Sequence, residues 1–394
     1  MAGNEIDQPL RAAVADGRVP GVVALAADRN GTFYQSAFGR RSLAEDTPMT
    51  LDTVFRIASM TKAVTGVAAM QCVERGLLSL DQPAGEIMPA LAEPRVLDGF
   101  DAGGQPILRP ARRKITLRML LTHTAGFVYP VWNASFNRYL ETTGTPIIQS
   151  GKLAALNAPL GFQPGERWEY GINIDWAGRM VETVSGQDLD TYMRANIFVP
   201  LGMHDTGFVP TAEQYSRSVP THARKPDGSL EPVPRTPPAR PEFFGGGGGL
   251  SSTGPDYLAF LRMLLNGGSL KGAQVLQPDT VAMMLQNHIG DLLVTRMASS
   301  QPAMSNDVEL FPGMAKKWGL TWLINTEDVP GRRSAGSVAW AGLFNTYYWL
   351  DPKQQVAGVI LTQILPFADP TVLHLLDEFE TAVYRTVKEN ARNA

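Results

Sequence analysis

The sequence predicts an α+β fold: one antiparallel sheet built from both chain termini and flanked by helices, with a mainly helical domain inserted between them. Three observations point there. Strand signals cluster near the two ends, helical spacing dominates the middle, and the segment Ala63 to Cys72 is apolar enough for a buried helix. These place a sheet domain at 1–60 plus 310–394 and a mainly helical domain with irregular loops at 61–309. A ligand is expected in the cleft between them.

Residues 5–17 carry apolar positions at helical spacing and end at Gly17. Val22 to Asp28 and Thr32 to Phe38 flank Arg29-Asn30-Gly31, the strongest hairpin signal in the chain. The buried helix then opens near Ser59 and stops at Glu74-Arg75-Gly76. Arg95 to Lys114 reads as a surface loop, its Arg109, Arg112, Arg113 and Lys114 being either solvated charge or a patch steering anions. Ile115 to Gly126 reads as one helix, with His123 near its C-terminus bonding the last free carbonyls.

Residues 127–165 are rich in aromatics and prolines. Tyr129, Trp132, Phe136 and Tyr139 are candidates there for a pocket wall, or equally for core filling. A helix runs from about Ile174 to Val184, and Tyr192 to Phe198 continues the helical layer. Seven prolines between Pro220 and Pro241 make that stretch extended and irregular. It leads through Phe243 and Phe244 into five glycines and a helix from Pro255 to Leu265. Such a run is either a flexible linker or a turn where backbone approaches a site, and its ordered flanks favour the turn. Trp318 to Ile324, Ser337 to Leu350 and Val356 to Thr362 have strand length, and Asp369-Pro370 opens a terminal helix to about residue 389.

With 394 residues and a formal charge of only −3, the chain suggests neither nucleic acid nor a membrane surface as partner. The one cysteine, Cys72, lies on the buried helix and is expected to pack there. Five scattered histidines and no cysteine pair argue against a metal site. The first residues lack a basic and apolar leader, so a cytoplasmic location is expected.

Chemistry concentrates at Ser59-Met-Thr-Lys62. Spacing of i and i+3 at a helix start puts both side chains on one face. There the helix dipole and apolar surroundings both favour a neutral amine, and a neutral amine beside a hydroxyl is a general base beside a nucleophile. The motif alone is weak, because an N-capping serine followed by a solvated lysine gives the same letters.

Two further elements change the balance: Tyr170 in Pro164-Gly-Glu-Arg-Trp-Glu-Tyr170, and Trp340-Ala341-Gly342 in a C-terminal strand. In that order and with those separations the three elements resemble the penicillin-recognising serine hydrolases. Within these the chain is most similar to the class C β-lactamase-like esterases called family VIII carboxylesterases. Leu120 to Gly126 and Phe244 to Thr253 match landmarks of the same family, so the likeness spans nearly the whole chain.

The resemblance implies a β-lactamase or penicillin-binding-protein-like fold and an enzyme without cofactor. It implies Ser59 as nucleophile, Lys62 and Tyr170 sharing acid and base work, and an oxyanion hole from the N–H groups of Ser59 and Leu343. A tyrosine beside a lysine is expected to have its phenolate favoured. Trp340 stands where most β-lactamases carry a lysine, which favours neutral acyl esters over penicillins. The motif's asparagine, Asn173, falls one place late. Trp340, Ala341, Gly342, Tyr129, Trp132, Phe243, Phe244 and Asn173 are expected at the substrate, with Tyr129, Trp132, Phe243, Phe244 and Trp340 crowding the cleft toward short acyl chains. The expected activity is a serine carboxylesterase working through an acyl-enzyme on Ser59, its partner a small-molecule acyl ester. A β-lactamase or acyltransferase with the same nucleophile is the alternative, and a non-catalytic ligand binder the alternative of another class.

Overall fold

Asp28 ends the first strand and turns the chain with its own side chain, accepting the N–H groups of Asn30 and Gly31 at 2.7 and 2.8 Å. In the computed structural model, which describes residues 2–393, this hairpin lies inside a larger sheet, one strand in from its edge. A first helix, α1 (Ala2–Ala15), precedes strands β1 (Gly21–Asp28), β2 (Thr32–Ser42) and β3 (Glu45–Pro48). The middle of the chain supplies helices α2 (Thr61–Glu74), α3 (Asn173–Ser185) and α4 (Gly254–Leu265). The end returns to the sheet with β4 (Lys316–Trp318), β5 (Leu323–Asn325), β6 (Val338–Gly342), β7 (Thr346–Asp351) and β8 (Val356–Leu361), then α5 (Pro370–Asn393).

The eight strands form one sheet in the order β4-β5-β6-β7-β8-β1-β2-β3, so the two chain ends meet where β8 pairs antiparallel with β1, Leu25 opposite Val359. Alternation then sends successive side chains to opposite faces. Tyr34 and Trp349 meet Phe379 of α5 on one face, while Tyr348 meets Tyr257 of α4 on the other. Helix α2 is buried from Thr61 to Cys72 on every side, as a helix apolar all round must be.

Several expectations need correction. Arg95 to Pro110 is a two-stranded hairpin, Arg95–Phe100 against Pro106–Pro110, rather than a loop. Arg109 pairs there with Asp98, and Arg112 with the exposed Glu166, so this charge is spent on the surface. The helix expected over 115–126 is only Leu117–Leu121, because His123 takes a left-handed φ of +57° that no helix continues through. The runs 318–324 and 337–350 each split into two strands, at Thr321 (φ +88°) and Asn345 (φ +58°). The proline-rich stretch opens with a short hairpin, His222–Arg224 against Leu230–Pro232, before becoming irregular. No described helix is long and apolar enough to cross a membrane.

Candidate active site

The setting of Ser59 starts one residue earlier. Ala58 has φ +43°, a left-handed conformation costing a residue with Cβ about 1–2 kcal/mol. Surrounding bonds enforce it. The Thr61 hydroxyl donates to the Ala58 carbonyl at 2.6 Å and accepts the Leu250 N–H at 3.1 Å, while Ile57 N–H reaches the Leu250 carbonyl at 3.1 Å. Ser59 is thereby held at the mouth of α2, facing a cleft of about 740 Å³.

Lys62 is 1% exposed and makes three contacts through Nζ: Ser59 Oγ at 3.0 Å, the Tyr129 hydroxyl at 3.1 Å and the Gly247 carbonyl at 2.6 Å. Burial pushes its amine down to about 7, against the opposing charge of Asp175. Two N–H groups of the neutral amine can then satisfy Gly247 and Tyr129, leaving the lone pair for the Ser59 proton. The glycine run is therefore part of the site. Gly246 also accepts from Thr65 at 2.7 Å, and a Cβ on Gly247 would lie 2.4 Å from Asp175 Oδ2, so only glycine lets this backbone pass.

Tyr170 enters from the turn before α3. Its hydroxyl accepts the Trp340 indole N–H at 2.8 Å, and its ring lies 4.6 Å from Lys62 Nζ. Burial pushes its phenol well above the ordinary value, with the Ser59 and Trp340 side chains opposing. The expected phenolate is thus overturned. Lys62 meets the face of the ring rather than its oxygen, and desolvation favours the neutral phenol, which suits Tyr170 to donate or relay a proton.

The third motif works from behind. Gly342 ends β6 against the backbone of Ile57, where a Cβ would lie 2.3 Å from the Ile57 carbonyl. That approach brings Leu343 to the cleft beside Ser59. The Leu343 N–H donates to no protein acceptor among the described residues, and Ser59 lies in the opening turn of a helix, where N–H groups are free.

Other expected substrate contacts divide. Tyr129, Trp132 and Phe243 line the cleft. Trp340 and Ala341 do not: both are buried, Trp340 against Tyr170 and Trp318 and Ala341 in the ladder opposite Tyr347. Gly342 is likewise walled off by Ile57 and Thr346. Phe244 packs on Phe208 and faces a separate shallow depression beside Arg240. Asn173 is fully buried, donating to His123 Nδ1 and the Phe127 carbonyl, both at 3.0 Å, and so cannot read a substrate. His123 also accepts the Gly171 N–H at 3.3 Å, and its bonds fix the Tyr170 turn instead of capping a helix.

Sequence reasoning passed over Asp175, Arg56 and Arg235. Asp175 looks like an ordinary acidic residue in a first helical turn, and the two arginines lie far apart in the chain. In the fold both arginines line the cleft, Arg56 stacked on Phe344 (4.1 Å) and Arg235 on Tyr215 (4.3 Å).

The β-lactamase family model matches residues 6–380. The chain belongs to the β-lactamase family. It is 35% identical to the lovastatin esterase of Penicillium rubens, over 96% of this chain and 98% of that protein. It is 34% identical to the monacolin J acid methylbutanoyltransferase of Aspergillus terreus, over 96% and 95%. Among solved structures it superposes on a mutant of simvastatin synthase from Aspergillus terreus with a TM-score of 0.85 and 31% identity, covering 98% of this chain and 96% of that one. Relatives that handle acyl groups and a shared fold identify a β-lactamase-fold acyl-transferring serine enzyme.

Proposed function

We propose that this protein is a serine carboxylesterase that takes a short acyl group from an ester onto Ser59 and passes it to water. The observation that carries the reading is the buried Lys62 amine 3.0 Å from Ser59 Oγ. Lys62 accepts the hydroxyl proton as Oγ bonds to the acyl carbon. The oxyanion is held by the N–H groups of Ser59 and Leu343. When the carbon–oxygen bond breaks, the leaving alkoxide takes the proton back from the Lys62 ammonium, and the Tyr170 hydroxyl assists by donating a hydrogen bond to it. Water then attacks the acyl carbon with the same groups in reverse, releasing acid and free Ser59.

The alcohol half of the substrate is large and apolar. A cleft of about 740 Å³ walled by Trp132, Ile148, Phe208, Phe243 and Phe344 supports this, as does a relative named for cleaving lovastatin. A short acyl half is supported by relatives named for transferring a methylbutanoyl group. The cation missing at Trp340 is replaced elsewhere, since Arg56 and Arg235 face the cleft and its one acidic lining residue is Asp175. An alcohol carrying a carboxylate fits them.

A second reading, transfer to an alcohol in place of water, is favoured by the same volume, which has room for an acceptor beside the acyl-enzyme. A panel of p-nitrophenyl esters from acetate to dodecanoate, with and without a bulky hydroxy acid, separates the two. Butyrate turned over faster than dodecanoate and an acyl adduct on Ser59 are expected. Undiminished turnover by Ser59→Ala would refute the esterase, and an acylated hydroxy acid among the products would establish transfer.

A further inference from the structure

Asp175 is 2% exposed in the opening turn of α3, at the inner end of the cleft. Its Oδ1 accepts the Gly247 N–H at 2.9 Å, and the carbonyl of that same residue accepts Lys62 Nζ at 2.6 Å. Oδ2 is buried with no hydrogen-bond partner, so half of a desolvated carboxylate is left with nothing but the charge of its surroundings to compensate it. A group this expensive to bury needs a reason.

The groups facing Lys62 supply one. Ser59 belongs to its own helix end, Tyr129 to the segment following residue 122, Tyr170 to the turn before α3, and Gly247 to the glycine run. His123 stands nearby, and burial and the Lys62 charge hold it neutral. Burial keeps both tyrosines neutral as well. Burial raises the Asp175 carboxyl above its ordinary range, the Lys62 charge and the Gly247 N–H oppose that rise, and Asp175 is the one acidic group facing the amine. Burial alone would drive the Lys62 amine far down and make it a feeble base, and the nearby carboxylate opposes that fall.

We infer that Asp175 is a positioning residue of the acyl-transfer centre: through Gly247 it fixes the Lys62 amine against Ser59, and its carboxylate is the counter-charge of that amine. This rests on the acyl-transfer reading above. It also accounts for Gly247, whose N–H and C=O are both committed to the pair and whose missing Cβ leaves room for Oδ2.

Asp175→Asn keeps the shape and the acceptor for Gly247 and removes the charge. The rate at which a fluorophosphonate labels Ser59 is followed from about pH 5 to about pH 10 in wild type and variant, covering the lysine and tyrosine range. The wild-type rate rises with the loss of the Lys62 proton. In the variant that inflection is expected to move about one pH unit toward acid, with a lower plateau because the amine is a weaker base. An unmoved inflection, whatever the plateau, would overturn the inference, since damage to structure alone lowers the rate at every pH equally. Should the variant not fold, the carboxyl carbon of Asp175 in wild type labelled with carbon-13 at aspartate must inflect at the pH of the rate profile. A flat shift there would overturn it equally. Failure of the wild type to label at any pH would instead bring down the acyl-transfer reading, and this inference with it.

Discussion

Trp340 donates its indole N–H to the Tyr170 hydroxyl over 2.8 Å, from a strand to a turn 170 residues away in sequence. That bond occupies one lone pair of the phenol and leaves its O–H free to turn toward Ser59. The residue that marks the third motif therefore orients the Tyr170 hydroxyl and is buried away from the cleft. Trp340→Phe keeps most of the packing against Trp318 and loses the donor. One lost hydrogen bond to a buried group is worth about 1–2 kcal/mol, so kcat is expected to fall ~10-fold with KM little changed. Steady-state kinetics on one aryl ester decide it, and a pure KM effect would return Trp340 to the substrate.

Lys62 gives a pH signature of two kinds. Because burial lowers its amine to about 7, kcat/KM is expected to rise as pH passes through that value and the base loses its proton. Folding responds in the same direction. The unfolded lysine keeps its proton up to its ordinary value of 10.5 and the folded one does not, so between about 7 and 10.5 the unfolded state binds more protons and stability from this group grows with pH. Lys62→Met is expected to cut kcat/KM by about 10²–10⁴-fold. It also removes this titration, so the melting curves of variant and wild type should differ in their pH dependence across that window.

How much of this was readable beforehand follows from what each feature depends on. Ser59-x-x-Lys62 is local: i and i+3 on a helix meet whatever surrounds them. The sheet was readable because hairpin chemistry at Arg29-Asn30-Gly31 and apolar runs near residue 360 are short-range signals. The breaks at His123, Thr321 and Asn345 were not, since a positive φ at a non-glycine residue is held by tertiary bonds such as that from Asn173 to His123. Nor was the division of labour among aromatics. Trp340 and Trp132 look alike as letters, and only the fold puts one behind Tyr170 and the other on the cleft.

Gly342 is a steric requirement of the proposed oxyanion site. A methyl group there would lie 2.3 Å from both the Ile57 carbonyl and Thr346 Oγ1, so the strand end must retreat and take the Leu343 N–H with it. Gly342→Ala is expected to lower kcat by about 10²–10³-fold, the cost of an oxyanion donor. KM should change far less. An acyl-enzyme that still forms, only slowly, in a rapid-quench experiment would place the defect in the transition state.

Arg333 and Glu380 supply a test of stability that leaves chemistry alone. They are 3% and 0% exposed and joined by two parallel bonds, Nε to Oε1 at 2.7 Å and Nη2 to Oε2 at 2.6 Å, between the segment before β6 and helix α5. Neither lines the cleft. Removing one partner strands a buried charge, so Glu380→Ala is expected to cost about 3–5 kcal/mol of unfolding free energy. The paired change Arg333→Met with Glu380→Leu removes both charges and fills most of the space, and should cost much less than the single variant. Urea denaturation of the three proteins measures the difference. The kcat of each, per folded molecule, is expected to match wild type, because this bond staples α5 to the sheet and reaches neither Ser59 nor Lys62.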